Sequence, residues 1–203
     1  MQSIVTFFIF IIFLSSCKTD ESVRDSAISS SNKLTFEEFK QTVSEGDIVL
    51  KRGKGPISQT IVKTLMEKIP LSHCAIVVGK NDSLTLVNSI SGTLTENDGL
   101  QYTSLNQFYS DALQGSIFIL RAKDRTRALE IQDEALRLYA KNIPFDHDFD
   151  HTDSTKLYCS EFVENVLFKV YSTPFFGEKE RKNKTILTFN EILYHDSLVI
   201  VNQ

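Results

Sequence analysis

Two short segments constrain this chain more than anything else in it: Leu71-Ser72-His73-Cys74-Ala75-Ile76-Val77-Val78-Gly79 and Leu157-Tyr158-Cys159-Ser160-Glu161-Phe162-Val163. In the first, an unbroken run of small and β-branched apolar residues from Cys74 to Val78 follows a polar Ser72-His73 mouth. Such a run suits a strand buried in the middle of a sheet. In the second, Phe162, Val163, Val166, Leu167 and Val170 fall on one face at helical spacing. A helix therefore starts near Tyr158 and must lay that face on something apolar. A strand headed by an imidazole and a helix headed by a thiol are the fixed points of the fold.

The remaining elements are read around them. Thr35 is an N-cap ahead of acidic Glu37 and Glu38, so a short helix follows. Gly46-Asp47 breaks it, and Ile48-Val49-Leu50 is a strand. Ser58 is the expected N-cap of a helix carrying Ile61, Val62, Leu65 and Met66, ended by Pro70. Asn81-Asp82 turns the chain into an antiparallel return strand, Leu84–Asn88. Leu105–Leu113 reads as helix and Ser116–Leu120 as strand. Arg125–Lys141 is the longest helical pattern, with Ala128, Ile131, Ala135, Leu138 and Tyr139 as its stripe. A polar loop, Asp146–Thr155, leads to the helix Tyr158–Tyr171, which Pro174 closes. Thr188 caps a short helix through Leu193, and Leu198–Val201 is a last strand. No internal repeat is present. With 203 residues, 41% hydrophobic and 24% charged, this is one α+β domain, an antiparallel sheet with segregated helices, beginning near Leu34.

The N-terminus is of another kind. Ile4 to Leu14 is apolar apart from Thr6. It falls well short of the about twenty residues that span a bilayer. Its length is that of a signal-peptide core, although no positive charge precedes it. Leu14-Ser15-Ser16-Cys17 resembles a bacterial lipobox. That resemblance implies a leader over residues 1–16, a lipidated Cys17 and a serine-rich tether over 17–33. The protein would then be exported and lipid-anchored to a bacterial membrane, on its periplasmic or surface face. The competing reading is a short buried N-terminal helix or strand. A net charge of −4 without a basic stripe argues against a nucleic-acid partner.

A thiol at a helix start and an imidazole at a strand mouth are the parts of a cysteine nucleophile. First-turn N–H donors and a nearby His both lower a thiol pKa, and the same donors can hold an oxyanion. A third polar group would orient the imidazole, and Asn88, closing an otherwise apolar strand, is the candidate. Other readings stand beside these. Cys159 and Cys74 could form a disulfide. Strand alternation argues against it, because Cys74 faces the core if His73 faces the cleft. Cys159 could be a buried structural thiol, His73 a satisfied core histidine, and Asn88 a plain turn residue. Phe175-Phe176 reads as core rather than as a cleft wall.

These residues resemble the permuted papain-like family of the NlpC/P60 superfamily, in particular its YaeF/YiiX type. The matching stretches are Gly46-Asp47-Ile48-Val49, Ser72-His73-Cys74-Ala75-Ile76-Val77, Phe145-Asp146 with Phe149-Asp150, and Tyr158-Cys159-Ser160-Glu161-Phe162-Val163. They cover about residues 44–172, and the His precedes the Cys as this family's order requires. The resemblance implies a permuted papain-like fold with Cys159 as nucleophile, His73 as general base and acid, and Asn88 as orienter. Asn88 aligns where the family often has Glu, which departs from its pattern. Asp47 and Tyr158 are the candidate substrate contacts, and for Asp47 the competing reading is that it ties down a loop. The implied reaction is hydrolysis of an amide or ester, on a cell-wall peptide or a lipid-linked amide, through an acyl-thioester and without a cofactor. A catalytically silent binding module of the cell envelope and a thiol acyltransferase are the alternatives. The loop Asp146-x-Asp148-x-Asp150 imitates a calcium loop, but His151 and Leu157 stand where its Gly and Glu would be. No metal is expected.

Overall fold

The structure, a computed structural model, describes residues 33–80, 83–172 and 186–202. The expected leader, Cys17 and most of the tether, the turn at 81–82, Pro174 and Phe175-Phe176 lie outside the described residues. Six strands form one antiparallel sheet: β1 (Ile48–Lys51), β2 (His73–Lys80), β3 (Ser83–Ile90), β4 (Gly99–Thr103), β5 (Phe118–Ala122) and β6 (Leu198–Ile200). Their spatial order is β4-β3-β2-β1-β5-β6. β1 and β2 are thus central, and their residues Ile48, Val49, Leu50 and Cys74 through Val78 are fully buried. A strand covered on both faces has no polar face to show, which is why its sequence is a continuous apolar run.

Six helices are described: α1 (Phe36–Thr42), α2 (Pro56–Leu65), α3 (Leu105–Ser110), α4 (Arg127–Tyr139), α5 (Cys159–Tyr171) and α6 (Phe189–Leu193). α4, α5 and α6 cover one face of the sheet. Ile131, Ala135, Phe162, Val163, Val166 and Ile192 meet Leu50, Cys74, Ile76 and Val87 there. α1 and α3 cover the other face, where Phe39, Leu105 and Phe108 meet Val49, Ala75 and Val77. α1 begins as its sequence predicts, with Thr35 and Glu38 in a reciprocal capping box. The fold class expected from the pattern is the one found, with helices on both faces.

Several boundaries differ from expectation, among them the end of α3 at Ser110 rather than Leu113. α2 begins at Pro56 behind Gly55, so Ser58 lies inside the helix. Proline fits the first helical position because its missing N–H has no partner there. α2 also ends before Pro70, at Met66 with φ 52°. β4 was not expected. It is five residues long and bonds along β3, which extends to Ile90.

Candidate active site

His73 opens β2 opposite Lys51 of β1. Its ring lies on the α3 side of the sheet, 5.8 Å from the Phe108 ring. Asn88 stands on the neighbouring strand with its Nδ2 3.2 Å from His73 Nε2. Asn88 is fully buried. Its amide also meets the Thr103 hydroxyl, which accepts from Nδ2 at 3.2 Å and lies 3.3 Å from Oδ1. An amide donating to Nε2 fixes the neutral ring with its proton on Nδ1. When the ring is doubly protonated, turning the amide over presents Oδ1 to the Nε2–H. The Thr103 hydroxyl can follow because it both donates and accepts.

Cys159 is the first residue of α5, behind Tyr158 in extended backbone (φ −86°, ψ 172°). Its neighbours explain the Tyr-Cys-Ser-Glu pattern. The Tyr158 hydroxyl accepts the Leu187 N–H at 2.9 Å, and the Ser160 hydroxyl donates to the Leu187 carbonyl at 2.7 Å. Glu161 takes the Tyr158 N–H at 3.4 Å. Ahead of them, Ser89 Oγ donates to the Leu157 carbonyl at 2.5 Å, and the Leu157 N–H is held by Pro144. Three of the four motif residues thus hold the segment in place. Only the thiol is left for chemistry. The N–H of Cys159 lies in the first turn, where no helical carbonyl is available to it.

Cys159 packs at the edge of the core cluster that contains Cys74. Its electrostatic neighbours are the Cys74 thiol and backbone N–H and the His73 ring. These contacts hold the Cys159 thiol far below its ordinary pKa. The Cys74 hydrogen bond contributes most, then the hydrogen bond and charge of His73, against the opposing effect of burial. Cys74 goes the other way: burial raises it well above the ordinary value, helped by its bond to Cys159 and the Cys159 charge. Both thiols are free, Cys74 buried and Cys159 half-buried. Alternation does place His73 and Cys74 on opposite faces, as expected. It does not isolate Cys74 from Cys159, whose charge helps raise the Cys74 pKa.

Asp47 and Tyr158 are not placed as substrate contacts. Asp47 lies at the other end of β1, about four residues or 13 Å from the position paired with His73. Its carboxylate is 1% exposed and takes bonds from Arg121 Nε at 2.8 Å, Arg121 Nη2 at 2.6 Å and the Ser44 N–H at 2.8 Å. It braces β1 against β5. The Tyr158 ring is buried in the core against Phe149. Adjacency to Cys159 along the chain does not carry its side chain into the site.

The acidic loop is satisfied internally. Asp146 accepts the N–H groups of Asp148 and Asp150 at 2.9 and 2.5 Å, Asp150 and Asp153 bond Thr152 and Thr155, and His147 pairs with Asp98. Among the described residues no group of three or more His, Cys, Asp or Glu is arranged to hold a metal ion. Two surface hollows, of about 260 and 430 Å³, are lined by neither Cys159 nor His73.

Sequence reasoning missed three site residues. Thr103 belongs to the unexpected β4. Cys74 was assigned to the core, with a disulfide to Cys159 as the disfavoured alternative. Lys51 is 6% exposed, with its Nζ 3.0 Å from the Phe108 carbonyl and 4.2 Å from the centre of the Phe108 ring that flanks His73. The β1–β2 register would have revealed it, had a partner for His73 been sought.

Comparison with known proteins follows the same lines. A family model described as permuted papain-like amidase enzyme, YaeF/YiiX, C92 family, matches residues 42–192. Among solved structures, the crystal structure of a protein titled metalloprotein yiiX from Escherichia coli O157:H7 is similar. It has 19% sequence identity and a TM-score of 0.61, over 79% of this chain and 97% of that chain. A search of curated proteins found no match.

Proposed function

This chain belongs to the permuted papain-like amidase family, and on that premise we propose that it cleaves an amide or ester through an acyl-thioester on Cys159. The cysteine-hydrolase class comes with the family. The residue roles and the substrate are our reading of the site. The Cys159 thiolate attacks the carbonyl carbon, and the carbonyl electrons move to oxygen. First-turn N–H groups of α5 face that developing charge. As the tetrahedral species collapses, the departing amine or alcohol takes the Nδ1 proton of doubly protonated His73, leaving a neutral ring and the acyl group on sulfur. The neutral ring then draws a proton from water, hydroxide attacks the thioester, and the thiolate leaves. Acid–base transfer of this kind supplies about 10²–10⁴-fold. Asn88, braced by Thr103, keeps the ring in register through both protonation states.

The observation that carries this reading is Asn88 Nδ2 held 3.2 Å from His73 Nε2 while His73 helps hold the Cys159 thiol far below its ordinary pKa. The solved relative is titled a metalloprotein. The described residues here do not offer a metal a ligand set, and no step above is routed through one. The substrate we favour is a cell-wall peptide or a lipid-linked amide, met at a bacterial membrane to which a lipidated Cys17 tethers the domain. The lipobox-like Leu14-Ser15-Ser16-Cys17 supports that placement.

The test is direct. The full chain is treated with limiting iodoacetamide near neutral pH, and peptide masses report which cysteine reacts. Selective labelling of Cys159 that is lost in His73→Ala supports the reading. Labelling of Cys159 no faster than that of a denatured control overturns it. A panel of peptide amides, acyl amides and esters, with and without an added amine acceptor, then separates hydrolysis from acyl transfer.

A further inference from the structure

Among the described residues, no other helix and no strand packs closely along α2. Val62 is its one buried residue. Ile57, Ile61 and Leu65 follow one another four residues apart and so share one side of the helix. Ile61 and Leu65 rest half-buried on the margin of the core. Ile57 is 43% exposed, and Met66, at the helix end, 65%. The surroundings are basic. No acidic residue occurs from Ile48 to Met66, in a chain whose net charge is −4. Lys54, Lys63 and Lys68 are exposed. Glu67 turns inward and accepts the Asn190 N–H at 2.7 Å. Asp111, whose carbonyl accepts the Lys54 N–H at 3.1 Å, sets one acid at the start of the helix. Lys63 and Lys68 lie at its other end.

The chain enters the domain beside the same helix. The Leu34 carbonyl accepts the Tyr109 hydroxyl at 2.7 Å, and Lys54 Nζ donates to the Ser110 carbonyl at 2.7 Å. Leu34 and Lys54 line one surface hollow, and Lys54 stands just ahead of Gly55-Pro56, where α2 begins. A tether joining Leu34 to a lipidated Cys17 therefore leaves the domain next to the first turn of α2. A serine-rich chain of that length reaches about 20–25 Å. We propose that α2 lies on the surface of an anionic bilayer, with Ile57 and Met66 at the acyl boundary and Lys63 and Lys68 at phosphate headgroups. An interfacial helix needs apolar side chains that the fold leaves outside, and ammonium groups for the headgroups to take. The long lysine stems let those charges reach the headgroups while the helix lies flat. A second copy packed on this face would instead set lysines against lysines in one self-complementary contact. From Met66 the chain runs through Ile69 to Ser72-His73, so docking seats the mouth of β2 toward the membrane.

The proposal rests on the membrane placement of the hydrolase, and one experiment keeps the two apart. The chain contains no tryptophan. Ile57→Trp in the full chain therefore carries a single reporter on α2, and Leu129→Trp, at a position 58% exposed on α4, carries one elsewhere. Each protein is mixed with vesicles of phosphatidylcholine alone or of phosphatidylcholine with phosphatidylglycerol, one set having brominated acyl chains. Sedimentation gives the bound fraction, and emission reports insertion. On phosphatidylglycerol vesicles the Ile57→Trp emission should shift to the blue and be quenched by the brominated lipid. On phosphatidylcholine alone it should do neither, and Leu129→Trp should do neither on any vesicle. Adding Lys63→Ala and Lys68→Ala should weaken insertion about fivefold per lysine, read as the ratio of shifted to unshifted emission. Protein that sediments with the vesicles while Ile57→Trp emission stays unchanged overturns the α2 proposal and leaves the membrane placement standing. Protein that stays out of the vesicle pellet overturns both. Blue emission before vesicles are added shows that α2 is already covered and overturns the proposal: by a second copy if the shift dilutes out, by its own chain if it does not. Equal quenching of Leu129→Trp overturns it as well.

Discussion

Lys51 provides a quantitative test of the layer beneath His73. Its ammonium is nearly closed from solvent, and burial lowers its pKa from 10.5 to about 8, with Asp111 partly offsetting this and Lys54 adding to it. Each pH unit between the folded and unfolded values is worth about 1.4 kcal/mol, so a buried charged Lys51 costs the fold roughly 3 kcal/mol. The sign follows from linkage. Below about pH 8 the amine is protonated in both states and the whole cost is present. Between about 8 and 10.5 the folded protein has released the proton while the unfolded chain still holds it. Unfolding then takes up a proton, and stability rises with pH. Lys51→Met removes the charge and keeps the stem. It leaves the Phe108 carbonyl without its donor, a loss of about 1 kcal/mol. The variant should therefore be about 2 kcal/mol more stable than wild type near pH 7. That advantage should shrink through the alkaline range at about 1.4 kcal/mol per pH unit, cross zero at about pH 9.5, and end as a deficit of about 1 kcal/mol once Lys51 is neutral in both states, above about pH 10.5. Urea unfolding followed by far-UV circular dichroism at a series of pH values measures both curves, and titrations shared by the two proteins cancel in their difference. A difference that stays constant with pH would refute the account of Lys51 as a buried, charge-strained amine.

The other predictions concern the site and its brace. His73→Ala should let the Cys159 pKa rise, and each unit it gains above neutrality lowers the thiolate fraction at neutral pH about tenfold; iodoacetamide rates measured against pH give the shift. Because wild-type Cys159 is held low, its labelling should persist below neutral pH and fall only as the solution becomes acidic enough to protonate it. Asn88→Ala leaves Thr103 and His73 without a buried partner and should cost about 1–3 kcal/mol, together with slower hydrolysis of any substrate found; loss of stability at an unchanged rate would remove Asn88 from the orienting role. Asp47→Ala strands Arg121 and should cost about 3 kcal/mol in urea unfolding while leaving Cys159 labelling of the folded protein unchanged; slower labelling would return Asp47 to the site.

The parts of the fold and site that the sequence disclosed are those in which local pattern and tertiary role coincide. β2 is a continuous apolar run because it is covered on both faces, and α5 is a one-sided stripe because it is covered on one. His73 and Cys159 stand out because each interrupts such a pattern at its end. Asn88 was reachable for the same reason, although β3 continues past it to Ile90. Thr103 was hidden because Gly-Leu-Gln-Tyr-Thr has no period of its own. That segment is a strand only because β3 supplies its partners. Cys74 was hidden for a subtler reason. Alternation says which face of a strand a side chain leaves by, and nothing about what waits at the strand's end. Tyr158 was misplaced by chain proximity, since its hydroxyl is spent on Leu187.

The Gly46-Asp47 pair then acquires a role at a distance. His73 and Cys74 leave β2 on opposite faces, so a slip of one residue in β2 would exchange imidazole and thiol. The register must therefore be pinned at both ends of the β1–β2 pair. At the far end the Gly46 N–H bonds the Val77 carbonyl at 2.9 Å, and the Val77 N–H bonds the Asp47 carbonyl at 2.8 Å. Gly46 adopts φ +77° there, and an added Cβ would lie 2.1 Å from the Ala128 carbonyl oxygen. No other residue can make that turn beside α4. At the near end the Ser72 N–H bonds the Lys51 carbonyl at 2.9 Å, and its hydroxyl accepts the Gly53 N–H at 2.9 Å. A Gly-Asp opening strand and a Ser before the His are thus what holding an imidazole and a thiol on opposite sides of one strand requires, and neither needs to touch a substrate to be indispensable to the site.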